Sequence, residues 1–425
     1  MAFRRVRDAV ASVSRQTALV VGLISGSQFA NHAFLVLLPP ILPLLSSDLD
    51  VSIAMLGVAL GAQALVNTAF QLPFGYLGDH YDRTIALGLS SVLGAVGAIV
   101  TALATSFPEL LVGQVVLGIG VAGHHPAHYP LLSDATTEDT RGRAFAVYNF
   151  GGSLGFATPP VFITAVISVP GLTWRHAIGV LGLVGLAYAV VITAVFAWRV
   201  DDEISAPNVE PSAAEDPLTD RIRSELRTLV SEPGILAVAL LALFASTANW
   251  GVTSYAVVFL TDVYGLSLGL ANLTLTGLFV VGAGAILVGG YLTDRFGGGR
   301  VLVVSFLGFS ALVSLIAARL VSAPVAVGLF LVLGAVRSVA GPARDELTER
   351  LAARGAVAKS FAIVTIGIML GSAIAPPAFG YIIQWIGVEA AFVAVAGVGL
   401  ASTVITLFVV AEFADARGGT SAPGD

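Results

Sequence analysis

Long apolar stretches alternate with short polar turns along the whole chain. Twelve of these stretches are long enough to cross about 30 Å of hydrocarbon as helices. We predict membrane-spanning helices over residues 17–38, 53–77, 84–105, 109–132, 143–167, 176–198, 235–261, 270–292, 300–319, 323–343, 359–383 and 387–411. Six lie on each side of one sizeable polar segment. The pattern therefore predicts an all-α membrane protein whose twelve transmembrane helices form two pseudo-symmetric six-helix bundles.

The two halves also share a short sequence repeat. The motif Gly-Tyr-Leu-x-Asp ends an apolar stretch at 75–79 and again at 290–294. Internal duplication on membrane helices is typical of two-lobed transporters whose halves rock about a central site. We predict an N-terminal bundle, a cytoplasmic linker, a C-terminal bundle and a disordered cytoplasmic tail, at residues 1–198, 199–232, 233–412 and 413–425.

The linker is acidic, because no basic residue follows Asp201 until Arg221. Asp216 and Pro217 have the pattern of a helix N-terminus, with proline at the first helical position. The leucines and isoleucine that follow share one face, which predicts a short amphipathic helix at the membrane surface. Its expected role is to join the two bundles.

Composition excludes most other classes of protein. The chain is 56% hydrophobic and 11% charged, with a mean hydropathy of +0.90, so most of it must lie in hydrocarbon. It has no cysteine, and its six histidines lack metal-ligand spacing. No nucleotide-binding motif is present. We therefore expect no enzyme activity, cofactor, metal or nucleic-acid partner, and a monomer that meets the lipid bilayer, a small-molecule substrate and a proton or other coupling ion.

The arginines predict the orientation in the membrane. If the N-terminus lies inside, the outer loops keep only Arg175 and Arg319. Cytoplasmic loops carry the excess of positive charge in membrane proteins. We expect a multi-pass protein of a prokaryotic cell membrane with both termini in the cytoplasm.

The loop between the second and third helices resembles the signature loop of the major facilitator superfamily, G-x-L-x-D-R/K-x-G-R-K/R. The matching residues are Gly75, Leu77, Asp79 and Arg83, whereas His80, Asp82 and Thr84 depart from the pattern. The second copy matches at Gly290, Leu292, Asp294, Arg295 and Gly297. The resemblance extends over residues 17–411 and implies the twelve-helix fold of that family.

The resemblance also implies a conformational latch. In the family the loop Asp helps to hold the outward-facing state, together with an Arg of the loop and an acid at the end of the fourth helix. Here these would be Asp79, Arg83 and Asp134. The duplication adds further latch candidates, Gly75, Gly290, Asp294 and Arg295. The alternative is that these charges simply solvate the loops.

The fourth and fifth helices carry a second, local resemblance. A histidine-proline segment at 124–130 precedes a glycine-rich helix that contains Pro159 and Pro160. This order is similar to the fosmidomycin-resistance branch of efflux proteins. An Arg that is frequent in the family's fourth helix is replaced by Gln114. We interpret the glycine-rich helix as a close helix interface and hinge.

Polar side chains inside membrane spans are costly and are therefore candidates for function. The family lines its central cavity with the first, fourth, seventh and tenth helices. The expected substrate-binding residues are Gln28, Asn31, His32, Tyr148, Asn149, Asn249, Trp250 and Arg337. Hydrogen bonds between helices are the alternative role for the amides.

Arg337 is the one basic residue inside a span that cannot easily reach the interface. A buried guanidinium needs an acidic partner or an anionic substrate. Two explanations stay open: an anionic ligand, or an ion pair with Asp345 or Glu346.

Three histidines of the fourth helix, His124, His125 and His128, are the candidates for proton coupling. An unperturbed imidazole titrates near pH 6.5. Their spacings of three and four residues place them on neighbouring positions of a helix. The alternative is that they are structural and bond to backbone carbonyls freed by Pro126 and Pro130.

These observations predict a secondary active transporter that moves a small organic solute by alternating access. We expect proton-coupled efflux of a drug or metabolite. Proton-linked uptake of an organic anion is the first alternative. A transporter-like membrane sensor without turnover is the second.

Overall fold

The computed structural model describes residues 14–205, 233–352 and 357–414. Within them, twelve helical spans are long and apolar enough to cross a membrane, which confirms the predicted number. In chain order the spans are Arg15–Asp48, Ile53–His80, Arg83–Leu103, Phe107–Asp134, Glu138–Ile167, Trp174–Arg199, Pro233–Asp262, Leu268–Phe296, Gly298–Ala317, Ala323–Leu351, Lys359–Trp385 and Val388–Phe413. We number them from the first to the twelfth.

Several spans extend beyond the predicted apolar stretches into polar sequence. The fifth begins at Glu138, because Thr137 and Thr140 form a capping box that satisfies the first backbone donors. The tenth continues through Pro342 to Leu351. Apolar patterning reports only the part of a helix in hydrocarbon, so these polar turns were missed.

Two spans are interrupted. The first consists of Arg15–Leu35, a 3-10 turn at Pro39–Ile41 and Leu42–Asp48. The turn includes adjacent prolines, which lack the N–H that an α-helix needs. The fourth span consists of Phe107–Ala122 and His124–Asp134, separated at Gly123.

A four-residue helix, Asp202–Ser205, follows the sixth span. The last span ends in a π-helical turn, Val410–Ala414, which extends two residues into the predicted tail. The predicted amphipathic helix that starts at Pro217 lies outside the described residues, as does the tail from residue 415.

By its internal contacts the chain divides into two compact units. The first comprises Met1–Leu37 and Val66–Ser212, and the second comprises Leu38–Leu65 and Ala213–Asp425. The end of the first span and the start of the second therefore belong with the C-terminal spans. The predicted limits of the two bundles stay a prediction.

Helix pairing repeats between the units. In the first unit the first span lies along the fifth, and the third along the fourth and sixth. In the second unit the seventh lies along the eleventh, and the ninth along the tenth and twelfth. These three pairs recur six spans later, as expected for duplicated halves, and the second unit also pairs the eighth span with the tenth and the seventh with the twelfth.

Glycine makes the contact between the third and fourth spans very close. A methyl group built at Gly120 would collide with the backbone of Gly94. One built at Gly113 would lie 2.6 Å from the hydroxyl of Thr101. Small residues let membrane helices approach to backbone contact, and here they fix the fourth span directly against the third.

Candidate functional site

Glycines of the fifth span bring it against the first span. A Cβ at Gly151 would lie 2.6 Å from the carbonyl oxygen of Ser25, and one at Gly152 would lie 2.7 Å from Nδ1 of His32. The ring of His32 also packs against that of Phe156, tilted by 32° at 4.1 Å between centroids. The glycine-rich helix is therefore a close interface, as predicted, and this interface positions His32.

The first span contributes a buried amide pair beside this histidine. Nε2 of Gln28 lies 2.8 Å from Nε2 of His32. Gln28 and Asn31 are 2% and 1% exposed, and their side-chain oxygens find no hydrogen-bond partner among the described residues. The ring of His32 lies 6.2 Å from that of His125, which connects the first span to the fourth.

A hydrogen-bonded chain of four side chains runs between the first, fourth and fifth spans. The hydroxyl of Tyr148 lies 2.9 Å from Nδ1 of His125 and 3.3 Å from Nδ1 of His128. Nε2 of His128 lies 2.9 Å from Oγ of Ser27. Tyr148 and His128 are buried. We call Ser27, His128, Tyr148 and His125 the histidine chain.

The tyrosine hydroxyl carries one proton, so it donates to one imidazole and accepts from the other. When Tyr148 donates to His125, His128 donates from Nδ1 and accepts the Ser27 proton at Nε2. When His125 donates to Tyr148 instead, Tyr148 donates to Nδ1 of His128, and Nε2 of His128 donates to Ser27. This arrangement can pass a proton along its length by exchanging donors and acceptors.

His124 is held separately. Oγ of Ser90 donates to the carbonyl oxygen of Gly120 and lies 2.7 Å from Nδ1 of His124. Because the serine has one proton to donate, it accepts the hydrogen of His124 Nδ1. The rings of His124 and His128 lie 5.3 Å apart, so the three predicted histidines are neighbours.

A structural role for these histidines stays a prediction, but the carbonyl bonds expected for it are not formed within the described residues. Removal of the backbone donors at Pro126 and Pro130 frees the carbonyls four residues earlier, at Ala122 and Pro126. In the described part of the chain, none of the three histidines bonds to either carbonyl. Most of their bonds go to side chains of other spans.

The second unit holds Arg337 between the seventh and eighth spans. Its Nη1 donates to Oγ1 of Thr253 at 2.9 Å, and its guanidinium carbon lies 5.3 Å from the ring centroid of Phe279. A Cβ at Gly282 would lie 3.0 Å from the carbonyl oxygen of Gly334. This close approach of the eighth and tenth spans places the arginine beside Phe279.

The predicted ion pair of Arg337 with Asp345 or Glu346 is wrong. Asp345 pairs with Arg344 at 2.8 Å, and Glu346 accepts from the backbone N–H of Gly298 at 3.2 Å. No carboxylate among the described residues forms an ion pair with Arg337. Among the described residues, a hydroxyl and an aromatic ring are its polar and cation–π contacts.

The remaining predicted substrate residues differ in placement. Asn249 and Trp250 are half-buried, one helical turn before Thr253, and the buried Oδ1 of Asn249 has no partner among the described residues. Asn149 is exposed, although its neighbour Tyr148 is buried. Asn149 therefore does not join the histidine chain.

Only part of the predicted latch forms an ion pair. Nη1 of Arg83 lies 2.5 Å from Oδ2 of Asp134 and also donates to the carbonyl oxygen of Ile204 at 3.1 Å. Asp79 is exposed and forms no ion pair with a described residue. Arg83 thus ties the start of the third span to the end of the fourth and to the short helix after the sixth.

The second copy of the loop is more open. Asp294 and Arg295 are exposed, and Arg295 donates to the hydroxyl of Tyr291 at 3.1 Å. Side chains added at Gly290 would meet no atom within 4 Å, whereas Gly75 would meet Pro126 at 3.9 Å. The latch roles of these residues stay a prediction.

Three residues whose hydroxyls bond to the predicted site residues were not predicted from the sequence: Ser27, Ser90 and Thr253. Serine and threonine inside a helix usually bond to a carbonyl of their own helix, so their presence alone is a weak signal. For two of these hydroxyls, the position in the sequence offered a clue. Ser27 precedes Gln28, and Thr253 lies four residues after Asn249 on the same helix face.

Comparison with known proteins agrees with this architecture. The family model of the Major Facilitator Superfamily matches residues 24–269 and 238–423. The chain is 26% identical over 290 residues to the Fosmidomycin resistance protein of Escherichia coli (strain K12), covering 68% of each chain. This match agrees with the resemblance to the fosmidomycin-resistance branch stated above.

A second relative is the Probable L-galactonate transporter of Escherichia coli (strain K12), 24% identical over 253 residues. The match covers 58% of this chain and about half, 55%, of that protein. The fold is similar to the crystal structure of a bacterial homolog of the human lysosomal transporter Spinster, in an inward-facing and occupied conformation. The TM-score is 0.77 at 16% identity, covering 95% of this chain and 99% of that one.

Proposed function

Because this chain belongs to the Major Facilitator Superfamily, we propose that it is a secondary active transporter that exports a small organic solute in exchange for protons. Alternating access would move the solute across a prokaryotic cell membrane, with both termini in the cytoplasm as the arginines predict. The substrate is a drug or metabolite.

The observation that carries proton coupling is the histidine chain. Tyr148 bonds to two imidazoles at once, and His128 bonds onward to the first span. Imidazole is the side chain that gains and loses a proton near neutral pH without a perturbing environment. A chain of such bonds between three spans links proton movement to the packing of those spans.

Export is favoured over uptake by likeness to the Fosmidomycin resistance protein, which covers about two thirds of each chain. Fosmidomycin is therefore the first solute to test. Purified protein in proteoliposomes with an acidic interior should release protons when solute is added outside, reported by a pH-sensitive dye in the lumen. Proton movement in the opposite sense, from outside to inside together with solute, would contradict export.

The histidines give the matched variants. A His125→Gln and His128→Gln double variant should flatten the pH dependence of flux between about pH 5.5 and 7.5, because glutamine keeps the reach but cannot bind a proton. His176→Gln is the control, since His176 is exposed and lies near Thr173 at the start of the sixth span. A double variant with the parent's pH profile would remove the histidines from proton coupling.

A second candidate function, proton-linked uptake of an organic anion, is favoured by Arg337. A guanidinium inside a span without a carboxylate partner suits an anionic solute. The L-galactonate transporter, which the chain also resembles, is a reason to include L-galactonate in the same assay. Acidification of the lumen on its addition outside would favour this candidate, and binding without any flux would favour a sensor.

A further inference from the structure

The hydroxyl of Thr253 differs from the other threonine hydroxyls of its span. Thr247 donates to a backbone carbonyl of the seventh span at 2.8 Å, and Thr261 lies within donating distance of the Val258 carbonyl at 3.0 Å and of Asp262 Oδ1 at 2.9 Å. Thr253 instead accepts a hydrogen bond from Arg337, and its own proton goes to no described residue. Thr253 is also 5% exposed, so its unused proton is held inside the unit.

The guanidinium of Arg337 also has unused donors. Its Nη1 bonds to Thr253, while Nε and Nη2 make no hydrogen bond to a described residue. Phe279 supports the cation from one side at 5.3 Å. A cation–π contact and one neutral hydroxyl satisfy part of the guanidinium and bring no negative charge to it. An anionic group at the two remaining nitrogens would supply that charge.

We propose that Arg337 and Thr253 together bind one oxyanion group of the transported solute, a carboxylate, phosphate or phosphonate. The free edge of the guanidinium donates to one or two oxygens, and the Thr253 hydroxyl donates its proton to the same group. Accepting from Nη1 orients this hydroxyl, because its lone pair faces the arginine and its proton faces away. Thr253 is a specificity residue in this arrangement.

Asn249 extends the same face of the seventh span. It lies one turn before Thr253, and its buried Oδ1 has no partner among the described residues. An amide in this position suits a hydrogen-bonding group next to the oxyanion, such as a hydroxyl of a hydroxy acid. The inference rests on the proposed transport function and makes its substrate an organic anion.

Binding can be tested without turnover. Thermal unfolding of the purified full-length protein would be followed with benzoate and with methylphosphonate, and with benzamide as the uncharged match for benzoate. We expect one or both anions, but not benzamide, to raise the melting temperature. A larger shift with one of the two anions would show whether the site prefers a carboxylate or a phosphonate. Stabilisation by neither anion would overturn the proposal.

Four variants locate the site. Arg337→Ala should abolish stabilisation, and Arg337→Lys should weaken it because the bidentate fork is lost. Thr253→Val should weaken anion binding by about tenfold or more, as expected for a lost hydrogen bond to a charged group. Thr253→Ser should keep anion binding close to that of the parent, because serine retains the hydroxyl. Thr247→Val is the matched control, since that hydroxyl bonds to its own helix.

The outcomes separate this inference from the transport proposal. Equal anion stabilisation in Thr253→Val and the parent would remove Thr253 from the site, and Thr253→Ala would decide the same point if the valine variant does not fold. Proton-coupled flux in the parent, together with anion stabilisation that persists in Arg337→Ala, would keep transport and overturn the anion site. If the parent shows no flux but the variants lose anion stabilisation, the anion site stands and the transport proposal is overturned.

Discussion

Replacing Tyr148 with phenylalanine removes one oxygen atom from the centre of the histidine chain. The ring keeps its edge-on contacts with His128 and Phe145. The hydroxyl that joins His125 and His128 is lost, and no direct hydrogen bond between those imidazoles replaces it. The substitution therefore separates the proposed proton path from the packing of the spans.

The cost in stability follows from the two lost bonds. Hydrogen bonds between membrane helices contribute about 0.6 kcal/mol on average and about 1.7 kcal/mol at most. The bond to His125 is 2.9 Å long and the bond to His128 is 3.3 Å long, so the first should contribute more. Tyr148→Phe should thus lower the free energy of unfolding by roughly 1 kcal/mol.

Tyr188→Phe is the matched control. Its hydroxyl donates to the carbonyl oxygen of Leu23 at 2.6 Å, so the variant also loses a bond between the sixth and first spans. The expected loss is about 0.6 kcal/mol. The two variants thus differ little in stability, whereas only one of them interrupts the histidine chain.

The assay is proton-coupled flux in proteoliposomes as a function of pH, with unfolding by denaturant measured in parallel. Tyr148→Phe should slow flux by about a hundredfold, the lower end of the range for loss of an acid–base group, and flatten its pH dependence. The titratable side chains close to Tyr148 are His32, His124, His125, His128 and Tyr129. If both tyrosine variants keep the parent's pH profile, the histidine chain does not carry the coupled proton.

Other changes test the latch and the helix contacts. Asp79→Asn should favour inward-facing states and slow transport with near-normal expression, and labelling of single cysteines placed in the cysteine-free parent checks it; unchanged labelling would exclude a latch role. Asp134→Asn should cost about 1 kcal/mol by replacing the charged partner of the largely buried Arg83 with a neutral amide, a value reduced because the Asp134 side chain is 30% exposed. Gly120→Ala should destabilise by about 1–3 kcal/mol through overpacking, whereas Gly22→Ala, with no atom within 4 Å, should be neutral or stabilising in the same unfolding assay.

Apolar patterning predicted the number and order of the spans because hydrocarbon requires about 20 apolar residues for each crossing. It failed at span ends such as Glu138 and Leu351, where capping and continued backbone bonding extend the helix into water. The predicted first span ended at residue 38, just before two adjacent prolines, whereas the structure continues it through a 3-10 turn to Asp48. The break at Gly123 was harder to locate, because the fourth span has several glycines and prolines.

The sequence could identify single candidate residues of the site but not the residues to which they bond. His125 and Arg337 stand out because polar groups inside a membrane are rare. Their partners, Tyr148 and Thr253, come from spans whose relative rotation depends on packing, which no local pattern encodes. The sequence allowed Arg337 to pair with Asp345, and only the helix geometry directs that acid to Arg344.

The backbone contact between Gly120 and Gly94 also bears on how this protein can diverge. The carbonyl of Gly120 accepts from Ser90, which in turn holds His124. A side chain gained at position 120 would push apart the third and fourth spans and draw Ser90 away from that imidazole. Because that side chain would collide with the backbone of Gly94, no substitution at position 94 makes room for it. Among relatives, glycine should therefore persist at position 120 wherever the histidines are kept.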